Sequence, residues 1–144
     1  MIANGADMKF LPLVIIGFVL IGCLGQTNGP SISTQWEKTS VDVINGNYSE
    51  EYVGVILTRQ DNDSTPFEVT LTFHNKDNIY AVDGLGNRIE NLTSRPMVGK
   101  GVQDILQFKV FGSSNTATGS DVLTVDLEIN GTTVTSQNIT VNIG

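Results

Sequence analysis

Two stretches of strict alternation constrain this chain more than any other feature. In "FEVTLTFH", Phe67, Val69, Leu71 and Phe73 fall on one side of an extended chain; Glu68, Thr70, Thr72 and His74 fall on the other. Successive side chains of a strand point to opposite faces, so this segment reads as a strand with one buried face. "VLTVDLEI" repeats the pattern, with Leu123, Val125, Leu127 and Ile129 inward and Thr124, Asp126 and Glu128 outward. Asn130-Gly131 follows, a pair that readily accepts the positive φ of a tight hairpin turn. A two-residue turn pairs Leu127 with Val134. Carried on, the same register would bury Asn138 and expose Ile139, Val141 and Ile143. One extra residue near Ser136 or Gln137 corrects this, so a β-bulge is expected there, with Asn138 exposed and the three aliphatic residues buried.

The remaining strand candidates are Ser40–Ile44, Tyr52–Arg59, Asn78–Val82, Arg88–Leu92 and Ile105–Phe111. "DGLGN", Asp83 to Asn87, reads as a turn, and Pro96, Gly99 and Gly101 interrupt the chain before Ile105. No segment carries a helical period. The expected fold class is all-β: an antiparallel sandwich of about seven to nine strands over residues 36–144, large enough to bury a core without disulfides.

The 144-residue chain has Lys+Arg 8 against Asp+Glu 15, a net charge of −7. Phosphate backbones and anionic lipid headgroups are bound by clustered Lys and Arg, so nucleic acid is excluded as an expected partner, as is electrostatic docking on a membrane. One cysteine, Cys23, excludes an intrachain disulfide.

Cys23 stands at the end of the one long apolar run, Phe10 to Leu24. That run is shorter than the roughly 20 residues of a spanning helix and fits the apolar region of a signal peptide. Lys9 precedes it, and Met8 makes a better start than Met1, because "IANGAD" lacks positive charge. Leu20-Ile21-Gly22-Cys23 resembles the lipobox of prokaryotic lipoproteins. The resemblance implies cleavage before Cys23 and a lipid on its sulfur. Residues 1–22 would then be a signal peptide preceding the mature fold. Residues 23–35 would comprise the lipidated cysteine and a polar tether, "LGQTNGPSISTQ". An uncleaved N-terminal anchor is the alternative.

"PFEVTLTFHNKDNIYAVDGLGNRIENL", followed by "ILQFKVFG" and a terminal hairpin, resembles the Ig-like β-sandwich modules of prokaryotic surface lipoproteins. The chain lacks the Cys…Trp…Cys spacing of antibody domains, and Trp36 lies at the front edge instead.

Chemistry-bearing groups are sparse. His74 is the sole histidine and lies on a polar strand face. Without further His or Cys, a transition-metal site cannot be assembled. "DNDS" places the carboxylates of Asp61 and Asp63 at alternate positions of a loop, the one arrangement here that suits a weak Ca²⁺ site; the same residues also favour turns for backbone reasons. Otherwise no cofactor is expected. Asn-x-Ser/Thr sequons stand at Asn47, Asn62, Asn91, Asn130 and Asn138, all at turns or outward positions where N-glycans are tolerated. Sequons together with a lipobox point to an archaeal cell surface.

The function expected from the sequence is that of a non-enzymatic module for interaction, adhesion or envelope assembly. It would be lipid-anchored on the extracytoplasmic face of the cell membrane through Cys23, with a protein or glycan partner at the envelope. The alternatives are a small solute- or Ca²⁺-binding lipoprotein and a filament subunit assembling through edge strands.

Overall fold

A computed structural model describes residues 31–114 and 119–144. Leu20, Ile21, Gly22 and Cys23, with most of the expected tether, lie outside the described residues. Ten strands make up the described chain: β1 (Ile32–Trp36), β2 (Ser40–Val43), β3 (Asn47–Tyr48), β4 (Val53–Arg59), β5 (Val69–Phe73), β6 (Ile79–Val82), β7 (Asn91–Thr93), β8 (Gln103–Gly112), β9 (Gly119–Ile129) and β10 (Thr132–Ile143). They form two five-stranded sheets. One runs β1-β4-β8, with both β3 and β6 paired to the last residues of β8; the other runs β2-β10-β9-β5-β7. The inward phases meet between the sheets in one apolar core, as the alternation requires, and the whole is the Ig-like sandwich that the resemblance implied.

The two alternating stretches behave as read. Val69, Leu71 and Phe73 of β5 are buried, as are Leu123, Val125, Leu127 and Ile129 of β9. Asn130 (φ 53) and Gly131 (φ 81) make the tight turn between β9 and β10. The bulge exists but sits nearer the turn than expected. Glu128 pairs with Thr133 and Leu127 with Thr135, so Val134 is the extra residue and does not face Leu127. Beyond it Leu123 pairs with Ile139, and Ile139, Val141 and Ile143 are buried while Asn138 is exposed. Thr132 to Ser136 are all exposed, so an extra residue there displaces no core contact. Alanine at Gly131 keeps the turn but forces a Cβ into left-handed backbone. Gly131→Ala is expected to lower stability by about 1 kcal/mol, read as a reduced urea midpoint with unchanged slope.

Three further differences from expectation have physical causes. Residues 32–35, read as tether, belong to β1, where Ile32, Thr34 and Trp36 oppose Arg59, Leu57 and Val55. Their polar composition masks a period of two, with Ile32 and Trp36 packed against the core. Residues 88–92 are not one strand. Arg88 makes a single bridge to Val82 in the first sheet, and β7 begins only at Asn91 in the second, because this segment crosses between sheets. Finally, β2 runs parallel to β10, with Val41 opposite Val141, the one parallel pair among the described residues. It covers only Thr140–Ile143, leaving the rest of that edge of β10 without a strand among the described residues.

Candidate functional site

The "DNDS" loop is committed to an internal contact. Arg59 occupies the inward phase of β4 after Val53, Val55 and Leu57, and its side chain is 1% exposed. Its guanidinium grips Asp61 in a fork (Nε–Oδ1 3.0 Å, Nη2–Oδ2 2.9 Å), donates to the carbonyls of Thr65 and Met97, and lies 4.3 Å over the Phe67 ring. Arg59 thereby holds the Asp61 carboxyl below the usual carboxylate range. Asp63 is likewise lowered, first by the Thr65 N–H it accepts. A cation between these two aspartates would have to displace a buried guanidinium. Among the described residues, no three His, Cys, Asp or Glu side chains converge as a metal site.

His74 Nε2 lies 2.7 Å from Asp126 Oδ2, and Ser136 Oγ donates to Asp126 Oδ1 at 2.6 Å. In a hydrolytic triad the histidine stands between hydroxyl and carboxylate. Here the carboxylate stands in the middle, an arrangement that cannot activate the serine through the imidazole. The contact joins β5, β9 and β10 on the outer face.

The asparagines of all five sequons are exposed. At the first, Ser49 is buried; its hydroxyl donates to Glu51 O and accepts from Val110 N, so the acceptor Asn47 adjoins a fixed backbone.

Acid sensitivity follows from the aspartates. Asp61, Asp63, Asp83, Asp121 and Asp126 all titrate below the ordinary range. The leading causes are, in order, Arg59, the Thr65 N–H, the Asn87 N–H, Lys76 and the Ser136 hydroxyl. The unfolded chain binds protons at about pH 3.9, where the folded chain still resists them. Their stabilisation is therefore complete above about pH 5 and is lost as pH falls through the lower folded values. The urea midpoint is expected to be flat from neutrality to about pH 5 and to drop below about pH 4. A midpoint that rises on acidification would contradict this.

The feature with the composition of a binding surface is on the outer face of the first sheet. Phe111 of β8 pairs with Tyr48 of β3 on one edge and Tyr80 of β6 on the other, so three rings lie at one level across three strands. Tyr80 and Phe111 are stacked, centroids 4.6 Å apart. Arg88 lies 4.8 Å over Tyr80, and Lys109 Nζ sits 5.6 Å from the Tyr48 ring and 5.0 Å from that of Tyr52. Both tyrosines are exposed. Lys38, Arg59, Lys76, Arg88 and Arg95 each meet a carboxylate; Lys109 meets none among the described residues.

The Asp83–Asn87 turn lies against the same tyrosines. A Cβ on Gly86 (φ 86) would stand 3.0 Å from the Tyr48 ring, and one on Gly84 2.5 Å from the Tyr52 hydroxyl. Asp83 Oδ1 accepts the N–H groups of Leu85 and Asn87, which fixes the turn. At its tip Leu85 is 85% exposed. Beside Tyr48 a hollow of about 990 Å³ has Val43, Ile44 and Ile143 in its lining together with Asp42, Glu50 and Glu51. A hollow of about 380 Å³ near Phe67 and Pro96 includes one carboxylate, Glu68.

Sequence reasoning singled out none of these aromatic residues. Phe111 and Tyr80 occupy the outward phase of alternating strands. An aromatic residue on the polar phase was the available signal.

No family model and no curated protein matches the chain. Among solved structures it is similar to domains 4 and 5 of the S-layer protein SbsC, at 16% identity and TM-score 0.45, covering 80% of this chain and 53% of that one. It is similar to a CARDB domain from Pyrococcus furiosus solved with di-metal ions (11% identity, TM-score 0.49, covering 83% and 97%). It is also similar to E. coli alpha-2-macroglobulin, at 10% identity and TM-score 0.50, covering 78% of this chain and 6% of that one. At such identities the likeness concerns the fold.

Proposed function

We propose that this chain is a non-enzymatic interaction module of the cell envelope. A lipid on Cys23 holds it on the extracytoplasmic face, and it meets its partner through the Tyr48–Phe111–Tyr80 face. The observation that carries this reading is the row of outward aromatic rings with Lys109 unpaired among them, on a chain whose other outward strand positions are mostly Thr, Ser, Asn, Gln and charged residues. Tyr and Arg are enriched among the side chains that carry binding energy at protein interfaces.

The placement of the chain entry supports the same reading. β1 begins at Ile32, opposite Arg59 at the end of β4, and Gln103 at the start of β8 pairs with the neighbouring Thr58. Phe111 lies eight residues further along β8, about 27 Å away at strand rise. An anchor at Cys23 would thus leave the aromatic face at the end of the sandwich away from the lipid.

Two measurements test this. Peptide mass spectrometry of the membrane-extracted chain is expected to find Cys23 as the N-terminus, carrying a lipid mass. Hexose-bearing peptides at Asn91 or Asn138 would mark glycosylated outer faces. An unmodified Cys23 with the apolar run retained sinks the anchor. A photo-crosslinking residue at Leu85 in intact cells is expected to capture a discrete envelope protein, and the same residue at Ser33, at the opposite end of the face, is not. Equal labelling at both positions sinks the assigned face.

A further inference from the structure

We infer that the partner seated on this face is a second copy of the same chain, with Leu85 of each protomer inserted into the hollow beside Tyr48 of the other. The inference rests on the reading of the aromatic face as the binding surface, and names its occupant.

Three observations point to self-docking. Leu85 is an apolar knob, 85% exposed, on a turn held by Asp83 and backed by two tyrosine rings, so little ordering is needed when it docks. The hollow offers such a knob an apolar surface at Ile44, itself 65% exposed, beside the Tyr48 ring, within a lining that also carries Asp42, Asn47, Glu50, Glu51 and Asn142. The charges also match. Lys109 beside the knob has no carboxylate, and Glu50 in the lining of the hollow has no cation, among the described residues. Of the other two acids there, Glu51 is occupied by Lys38 and Asp42 accepts from Asn142 Nδ2, which leaves Glu50 as the carboxylate without a side-chain partner among the described residues.

Knob and hollow adjoin at Tyr48, which touches Gly86 of the turn and lines the hollow. A two-fold axis near Tyr48 therefore seats both knobs at once. Such a contact is isologous and closes as a dimer instead of growing into a fibre. One knob and one hollow per protomer give a contact smaller than the standard interface of about 800 Å² per partner, so self-association is expected at micromolar concentration.

The test is sedimentation velocity on the full chain, extracted in detergent, from about 1 µM to about 300 µM. Wild type is expected to pass from monomer to dimer. Leu85→Asp is expected to remain monomeric. Lys109→Glu and Glu50→Lys are each expected to weaken the dimer about tenfold, since each places like charges together. An equimolar mixture of those two variants is expected to recover wild-type association, because every contact in the mixed dimer again joins opposite charges.

Unchanged far-ultraviolet circular dichroism checks that each variant folds. Self-docking is overturned if wild type stays monomeric, if its dimer survives all three substitutions, or if the mixture associates no better than its components. A monomeric wild type whose Leu85 crosslinks to another envelope protein overturns only the self-docking. A monomeric wild type with no position-specific crosslink overturns the aromatic face as well.

Discussion

Phe108→Ala is expected to lower the unfolding free energy by about 4 kcal/mol, among the largest effects of any single truncation in this domain. Phe108 lies in the inward phase of β8, fully buried and directly opposite Val53 of β4. Its ring meets Phe73 of β5 edge to face, centroids 4.7 Å apart, so one side chain ties the first sheet to the second. Removing it forfeits the transfer of a large apolar group and leaves a void that strands from both sheets line and cannot readily fill. Ile105, three residues earlier on the same strand, is 50% exposed on the outer face. Ile105→Ala is expected to change stability by less than about 1 kcal/mol. Urea unfolding of the two variants side by side measures the difference. Equal losses would mean that the two faces of β8 are not distinguished as described.

Arg59→Met is expected to lower Tm by about 10 °C or more, through a different mechanism. Methionine has a similar reach and preserves most of the apolar contact with Phe67. It removes the guanidinium donors to Asp61, Thr65 O and Met97 O, leaving Asp61 only the Ser31 N–H and Met97 O only the Phe67 N–H. A carboxylate and two carbonyls, placed to receive a guanidinium, are then left without their partner. Arg59→Lys keeps the charge but loses the planar fork and is expected to fall between wild type and methionine. Asp61→Asn removes the anion while leaving an acceptor. Its loss is expected to be smaller and to vanish at acid pH, where Asp61 of the wild type is protonated too. Calorimetry at neutrality and at successively lower pH separates these cases. A methionine variant as stable as wild type would show that the guanidinium contributes orientation and no net stability.

These two residues show what the sequence conveys and what it conceals. Phe108 follows from alternation within one segment: Leu106, Phe108 and Val110 share a phase, and a sandwich buries that phase. The same logic reads β5 and β9 and anticipates the bulge in β10, because each has one wet face. Arg59 was legible in part. A charged residue in phase with Val53, Val55 and Leu57 must find an anion inside, and the acid two residues later is the nearest. Asp61 was read instead as a turn former that also suits a weak Ca²⁺ site, because loop spacing says nothing of what already occupies a carboxylate. The aromatic face was hidden for another reason. Tyr48, Tyr80 and Phe111 come from three distant segments and meet only through the pairing of β3 and β6 with β8. A period of two reports which face a residue takes and not which strand lies beside it. The parallel contact of β2 with β10 is invisible on the same grounds.

The bulge at Val134 bears on how densely such a domain can be displayed. Among the described residues no strand pairs with the open edge of Thr132 to Asn138, since β2 covers only the far end of β10. Threonine and valine in a straight row of this kind would template the addition of further chains, as amyloid edges do. One supernumerary residue kinks the row and breaks the repeat that an incoming strand must match. An N-glycan on exposed Asn138 would stand in the same path. If the chain is held at a surface as proposed, its local concentration is high and unlimited sheet growth is the main colloidal hazard. The misfit at Val134 would oppose such growth at no cost to the core, because Thr132 to Ser136 are all exposed.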